Sequence, residues 1–209
     1  MCHDRAGPLV VVDNPYARSA EFIKSAARAS QCPDTDNKPE IAVVGRSNVG
    51  KSSLINRLVN RRRLAKVSNT PGRTQLLNFF LVNDSFVLCD LPGYGYAKVP
   101  IRVQKTWSGM IESYLIGRKP LRALLLLMDV RRTPGDWEKQ FFTLASQYGW
   151  AVVPVVTKID KLSSSKRKPA LAKIARQLGC SPDQIVAWSA VSGHGLDALW
   201  ERIKRLTDS

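Results

Sequence analysis

Eight consecutive residues, Gly45 to Ser52, follow the spacing G-x-x-x-x-G-K-S between an apolar segment and a segment with a helical pattern. Glycines at the fixed positions let the backbone bend until successive N–H groups face one anion, and the positive end of the following helix strengthens that field. In such a loop the Lys51 ammonium reaches the β- and γ-phosphates, and the Ser52 hydroxyl is a ligand for Mg²⁺. The spacing predicts a site for a nucleoside triphosphate.

A second motif, Asp90-Leu-Pro-Gly93, comes directly after the apolar segment 86–89. Asp90 is thereby placed at the carboxyl end of a predicted strand, where a carboxylate holds Mg²⁺ through water and the Gly93 N–H senses a γ-phosphate. The spacing D-x-x-G is weak evidence alone. Its position after the phosphate loop makes it evidence for a nucleotide-dependent switch.

Two later segments predict which base is bound. Thr157 to Asp160 form T-K-x-D after the apolar segment 151–156, and Trp188 to Ala190 end the next predicted strand. The Asp160 carboxylate accepts both the N1–H and the exocyclic amino N–H of guanine, a pair that adenine does not offer. The aliphatic stem of Lys158 covers the base, and backbone N–H groups of 188–190 reach the guanine O6. These motifs, in this order after a phosphate loop, predict guanine.

The elements that must position these motifs alternate along the chain. Apolar segments predict strands at 41–44, 76–82, 86–89, 122–130, 151–156 and 184–188, and helical patterns lie at 18–29, 51–60, 103–117, 136–148, 166–178 and 196–206. Continuous apolar strands that alternate with helices favour an α/β fold with a mostly parallel sheet covered on both faces. We predict six strands with one antiparallel edge strand, an N-terminal extension at 1–38 and a nucleotide-binding domain at 39–209.

Charge is the most informative part of the composition. The 209 residues contain 32 Lys and Arg against 17 Asp and Glu, a formal net charge of +15. Two runs, 57–73 and 161–176, contain six cations each and no acid. Such a surplus predicts a polyanionic partner, chiefly nucleic acid or an anionic membrane face.

Other classes are disfavoured. The longest apolar run is Ala123–Met128, far short of the roughly 20 residues that span a bilayer. The first residues do not form a signal-peptide pattern, and four dispersed cysteines with two histidines predict reduced thiols and no zinc site. We expect a cytoplasmic protein, without stable membrane insertion or recognition of a DNA sequence, and a monomer.

Two longer motifs carry a resemblance to a known family. Asn69-Thr-Pro-Gly-Arg-Thr-Gln-Leu-Leu-Asn-Phe-Phe80 and Asp90-Leu-Pro-Gly-Tyr-Gly-Tyr-Ala97 resemble those of the EngB family of bacterial ribosome-assembly GTPases, within the translation-factor-related class. The resemblance covers about residues 15–206. It implies a Ras-like fold, GTP hydrolysis, binding of the large ribosomal subunit and its RNA, and a link to cell division and septation.

The resemblance also implies the residues of the site. The Mg²⁺ ligands are Ser52 and Thr74, with Thr70 a rival for the second role, and the residues assigned to catalysis are Lys51, Thr74 and Gly93. The predicted nucleotide contacts are Gly45, Arg46, Ser47, Asn48, Val49, Gly50, Lys51, Ser52, Gly72, Arg73, Thr74, Gln75, Leu76, Asp90, Leu91, Pro92, Gly93, Thr157, Lys158, Ile159, Asp160, Trp188, Ser189 and Ala190.

One position departs from Ras-like enzymes, which place Gln directly after D-x-x-G to orient the attacking water. Tyr94 has no amide and does not supply this function, so hydrolysis must rely on positioning and on the charges of Mg²⁺ and Lys51. We expect slow turnover without a partner that orders the loops. Asn48 offers a side-chain carbonyl that could hold K⁺ near the phosphates; the alternative is a hydrogen bond within its own loop.

Alternatives remain open from the sequence. A P-loop kinase would use the same phosphate loop but needs no pair of base-reading segments. A non-catalytic, nucleotide-dependent RNA-binding module would explain Tyr94. The glycines and tyrosines of Leu91–Ala97 favour a mobile segment, against a rigid turn with Tyr94 and Tyr96 packed inward.

Overall fold

A seven-stranded sheet forms the centre of the protein in the computed structural model, which describes residues 14–61, 64–65, 76–95 and 101–208, with the backbone alone at 101–108. The strands are β1 (Ala20–Ala26), β2 (Glu40–Gly45), β3 (Leu77–Val82), β4 (Phe86–Asp90), β5 (Leu121–Asp129), β6 (Ala151–Thr157) and β7 (Val186–Ala187). The helices are α1 (Lys51–Leu58), α2 (Ile101–Gly117), α3 (Asp136–Tyr148), α4 (Ser164–Leu178) and α5 (Leu196–Thr207).

The strand order is β1-β3-β4-β2-β5-β6-β7. β3 runs antiparallel to both of its neighbours, while the pairs from β4 to β7 are parallel. The α/β fold with a mostly parallel sheet is confirmed. The prediction of six strands is wrong by one, and the antiparallel strand is not at the edge, because β1 covers it.

The helix predicted at 18–29 is also wrong: this segment contains β1, followed by a short 3₁₀ helix at Ala29–Gln31. The outer edge of β3 leaves backbone groups that need partners, and pairing from Ala20↔Val82 to Ala26↔Leu77 satisfies them. The Phe22 ring packs edge-on against Phe80 across the pair. Tertiary pairing therefore overrides the local pattern, and the predicted extension supplies the edge strand of the sheet.

Helices cover both faces of the sheet. Leu54, Ile55 and Leu58 of α1 pack with Trp200 of α5 on one face, and Ile111, Tyr114 and Leu115 of α2 pack with Phe141 of α3 on the other. α4 packs through Ile174 and Ala175 against Met128 and Val156. No helix within the described parts of the chain is long and apolar enough to cross a membrane.

The parallel strands bring the motifs to one edge of the sheet. β2 ends at the phosphate loop, β4 ends at Asp90, β6 ends at Thr157, and β7 ends directly before Trp188. Ligands of open parallel sheets bind at this carboxyl edge. The fold thus brings all four predicted motifs to the same edge of the sheet.

Candidate nucleotide-binding site

The phosphate loop connects β2 directly to α1. Gly50 is the N-cap residue of α1 and has a φ of 108°, in a region that L side chains rarely adopt, so glycine is required for this turn. The loop N–H groups and the first turn of α1 form the positive terminus that the spacing predicts. The predicted order of strand, loop and helix is confirmed.

Lys51 and Asp90 place opposite charges near each other beside the loop, with Asp90 buried and Lys51 half-buried. Burial raises the pKa of the Asp90 carboxyl to about 6, although the nearby Lys51 charge opposes that rise. Burial in turn lowers the pKa of Lys51, while Asp90 works against the shift. The ammonium thus lies in a low-dielectric site, where its field at a bound phosphate is strong.

Asp90 also fits an Mg²⁺ ion. Its Oδ1 is buried and has no hydrogen-bond partner among the described residues, which is costly unless a ligand or water supplies one. Those residues contain no group of three His, Cys, Asp or Glu side chains that would form an all-protein metal site. A single carboxylate with a loop hydroxyl is the donor set of an Mg²⁺ that takes its other oxygens from phosphates and water.

The D-x-x-G segment lies directly against the phosphate loop. The Ser47 N–H donates to the Tyr94 carbonyl at 2.9 Å, and the Tyr94 N–H donates to the Gly45 carbonyl at 3.3 Å. The Ser47 hydroxyl donates to the Gly93 carbonyl at 3.2 Å. We call this arrangement the closed pairing; it forms a short parallel bridge between Arg46 and Tyr94.

Tyr94 is packed inward, so the expectation of a mobile segment is not met at this residue. Its side chain is 2% exposed, its ring stacks on Trp137, and its hydroxyl donates to Glu138 at 2.9 Å. Burial, together with the charge and hydrogen bond of Glu138, raises the pKa of the Tyr94 hydroxyl far above its ordinary value. Tyr96 lies outside the described residues.

Two side chains of the T-K-x-D segment tie it to the phosphate loop. The Thr157 hydroxyl donates to the Val49 carbonyl at 2.8 Å, and the Lys158 ammonium donates to the Asn48 carbonyl at 2.7 Å. Lys158 adopts a φ of 60°, which directs the next residues away from β6. These two hydrogen bonds therefore hold the phosphate loop next to the segment where the base is predicted to bind.

The Asp160 carboxylate, which is predicted to recognise guanine, is held in position. The Ser189 hydroxyl donates to Asp160 Oδ1 at 2.7 Å, and the Asp160 side chain remains 22% exposed. The N–H groups of Trp188 and Ser189 donate to Val156 and His194, so two of the three N–H groups predicted for the guanine O6 already have acceptors. The contact of the Ala190 N–H with the guanine O6 stays a prediction.

Asp129 is a functional candidate that sequence reasoning missed. It is 5% exposed, accepts two hydrogen bonds from the Arg131 guanidinium and pairs with Lys158 at 3.1 Å. Burial opposes ionisation, yet the hydrogen bonds of Arg131 and Lys158 hold the pKa of Asp129 well below its ordinary value. One signal for Asp129 was present in the sequence: it ends a predicted strand, and strand ends of this kind carry the other motifs.

The remaining predicted residues divide into two groups. Leu91, Pro92 and Ile159 are buried next to the motif residues, and Leu76 is exposed directly before β3. Gly72, Arg73, Thr74 and Gln75 lie outside the described residues, as does Thr70. The choice between Thr74 and Thr70 therefore stays a prediction.

This sheet, with a phosphate loop after β2 and a T-K-x-D segment after β6, defines a Ras-like GTP-binding domain. A family model described as 50S ribosome-binding GTPase matches residues 40–158. A probable GTP-binding protein EngB from Geobacter sulfurreducens is 50% identical over 188 residues, which are 90% of this chain and 91% of the relative. The chain belongs to the EngB family of GTP-binding proteins.

Solved structures agree on the fold. A crystal structure of a probable GTP-binding protein EngB covers 81% of this chain and 98% of its own, with a TM-score of 0.68 at 22% identity. Era, in complex with MgGDPNP and a fragment of 16S ribosomal RNA, covers 80% of this chain and 56% of its own, with a TM-score of 0.62 at 24% identity.

Membership in this family makes the protein a GTPase that converts GTP to GDP and phosphate. Family membership disfavours the alternative of a P-loop kinase, which the sequence alone left open. The chain also has the base-reading segments that such kinases do not need. Membership equally disfavours a non-catalytic module, because the hydrolytic activity belongs to the family.

Proposed function

We propose that this protein is a cytoplasmic GTP-dependent switch that binds ribosomal RNA of the large subunit, acts in assembly of that subunit, and through it supports normal cell division and septation. The nucleotide would bind at the residues named above. Ser52 and Thr74, with Asp90 through water, would hold an Mg²⁺ ion, which would neutralise phosphate charge. The observation that carries this proposal is an exposed basic face of α4 next to the guanine-reading segment.

The basic face of α4 consists of exposed cations on one side of one helix. Lys166, Lys173 and Arg176 lie within roughly 80° of one another around the helix axis, opposite the buried Ile174 and Ala175. Lys168 is exposed as well, but lies roughly 80° further around the helix axis. These four cations take part in none of the ion pairs formed by the described residues. Their charge is therefore free to meet phosphate.

The other basic run, residues 57–73, is less suited to binding RNA in the part that the structure describes. The Arg57 guanidinium is partly buried, and burial lowers its pKa. Arg61 is exposed, whereas Arg62 and Arg63 lie outside the described residues. The descriptions of the matching family model and of the Era complex, which name the 50S ribosome and 16S RNA for those proteins, support an RNA partner here.

Charge reversal on α4 should weaken subunit binding. We expect the double variant Lys166→Glu/Lys173→Glu to lose roughly tenfold or more in affinity for large subunits at moderate salt, because each phosphate contact contributes through counterion release. Co-sedimentation across a salt series measures this. Nucleotide affinity should stay close to that of the parent.

The matched control is Lys119→Glu/Arg122→Glu. It makes the same change in net charge with two exposed residues at the opposite end of the sheet. Equal weakening by both double variants would assign the effect to net charge alone, and unchanged binding by the α4 variant would contradict the proposed surface.

We also propose that Asn48 holds K⁺ beside the phosphates during hydrolysis. Asn48 is exposed at a φ of 61° and lines a cavity of about 190 Å³ next to the phosphate loop. Hydrogen bonds among the described residues involve its carbonyl but not its side-chain amide. A cation held there would supply charge that no residue after D-x-x-G provides.

The expected result is faster phosphate release in K⁺ than in Na⁺ at equal ionic strength, by severalfold, with the difference abolished in Asn48→Ala. Rates should be compared with and without large subunits. Identical rates of the parent in the two salts would contradict the cation site.

A further inference from the structure

In the closed pairing, Gly93 lies close to the Lys51 ammonium. A Cβ built on Gly93 would lie 3.0 Å from Lys51 Nζ and 2.9 Å from Ser47 Cα. A phosphoryl group bound between the ammonium and the Gly93 N–H needs a charge-assisted hydrogen bond of about 2.8 Å on each side, plus its own width. Gly93 and the Lys51 ammonium must therefore move apart when a γ-phosphate enters.

The α- and β-phosphates bind at a different place from the γ-phosphate. They bind the N–H groups of the loop and of the first turn of α1, which do not lie between Gly93 and Lys51. The conflict with the closed pairing is thus specific to the third phosphate. Whatever stabilises the closed pairing lowers the affinity for GTP relative to GDP.

Tyr94 connects the closed pairing to α3. Its backbone pairs with Gly45 and Ser47, while its side chain lies under α3, with the Phe141 ring 5.6 Å away and Glu138 bound to its hydroxyl. Movement of Gly93 therefore pulls directly on the bond between Tyr94 and Glu138.

Glu138 is fixed where it is. It is 2% exposed in the first turn of α3, and its second oxygen accepts the Gly135 N–H at 2.8 Å. The helix and this second bond keep the carboxylate in place when Tyr94 leaves. A buried carboxylate that loses its hydroxyl partner pays a desolvation cost, so the bond resists opening.

We propose that Glu138 is a specificity-determining residue that, through its bond to the Tyr94 hydroxyl, holds Gly93 against Lys51 and so disfavours GTP relative to GDP. The inference rests on the proposed nucleotide site and concerns its regulation. A partner that displaces α3 or Tyr94 would then favour the GTP-bound state without touching the nucleotide.

The test is the ratio of two affinities in Tyr94→Phe, which keeps the buried ring and removes the hydroxyl. Titration with GDP and with a non-hydrolysable GTP analogue should show a ratio shifted roughly tenfold toward the triphosphate, with GDP affinity near that of the parent. Glu138→Gln is the second variant, and its ratio should shift in the same direction. Thermal unfolding checks that both variants are folded.

Tyr148→Phe is the matched control, because it makes the same change at an exposed tyrosine of the same helix. Its ratio should equal that of the parent. An unchanged ratio in both test variants, or equal changes in the GDP and analogue affinities, would overturn the role of Glu138 while leaving the nucleotide site standing. A parent that binds neither nucleotide would overturn both.

Discussion

Replacing Asp160 by Asn should change which base the protein selects. The carboxylate is expected to accept two hydrogen bonds from guanine, and two bonds to a charged acceptor are worth roughly 3 to 6 kcal/mol. We therefore expect GTP affinity to fall roughly 100-fold or more. Xanthosine triphosphate should become the preferred ligand, because its 2-oxo group accepts a hydrogen bond from an amide.

The hydrogen bond from Ser189 makes this variant informative. The Ser189 hydroxyl donates to Asp160 Oδ1, and an Asn side chain can keep that bond while its amide nitrogen faces the base. Titration with both triphosphates measures the preference. Ser189→Ala is the control, because it loosens the carboxylate without changing its chemistry and should weaken GTP binding with no change of base preference. An Asp160→Asn protein that still prefers GTP would remove Asp160 from base recognition.

Replacing Lys51 by Ala should abolish measurable binding of GTP at micromolar concentrations. The ammonium lies near Asp90 in a desolvated environment and is expected to make charge-assisted hydrogen bonds to two phosphates. Its loss also leaves Asp90 without the charge that opposes the rise of its pKa. The fold should persist, since α1 keeps its apolar face.

Two further variants define the control for Lys51. Ser52→Ala should weaken only the Mg²⁺-dependent part of GTP binding, seen by titration with and without a chelator. Lys139→Ala removes an exposed lysine of α3 and should bind GTP like the parent. If Lys51→Ala and Ser52→Ala both bound GTP as tightly as the parent, the phosphate site would lie elsewhere.

The parts of this site that could be predicted from the sequence are those encoded locally. The phosphate loop, D-x-x-G and T-K-x-D each occupy a short run, and the apolar segments before them mark the strands that end there. Glu138 was missed because its partner is distant in sequence: the hydroxyl that it binds is 44 residues away. Asp129 pairs with nearby Arg131, but the fold is needed to bring the Lys158 ammonium to it from the end of β6. Only the folded sheet brings such groups together.

The same reason explains the error in the fold. Whether 18–29 forms a helix or a strand depends on the free edge of β3, which follows about 50 residues later. The amino-acid pattern of residues 18–29 carries no information about β3, the strand with which this segment pairs. Elements with a complete local signal, such as α3 at Asp136–Tyr148, were predicted with their observed bounds.

The most direct test of the central claim is multiple-turnover phosphate release from GTP, with and without purified large ribosomal subunits. We expect slow release by the protein alone, because Tyr94 is held inward and supplies no water-orienting amide. Release should be several times faster with large subunits, and small subunits should give no such increase. Equal rates in all three conditions, or no release with large subunits, would contradict a GTPase switch that acts on the large subunit.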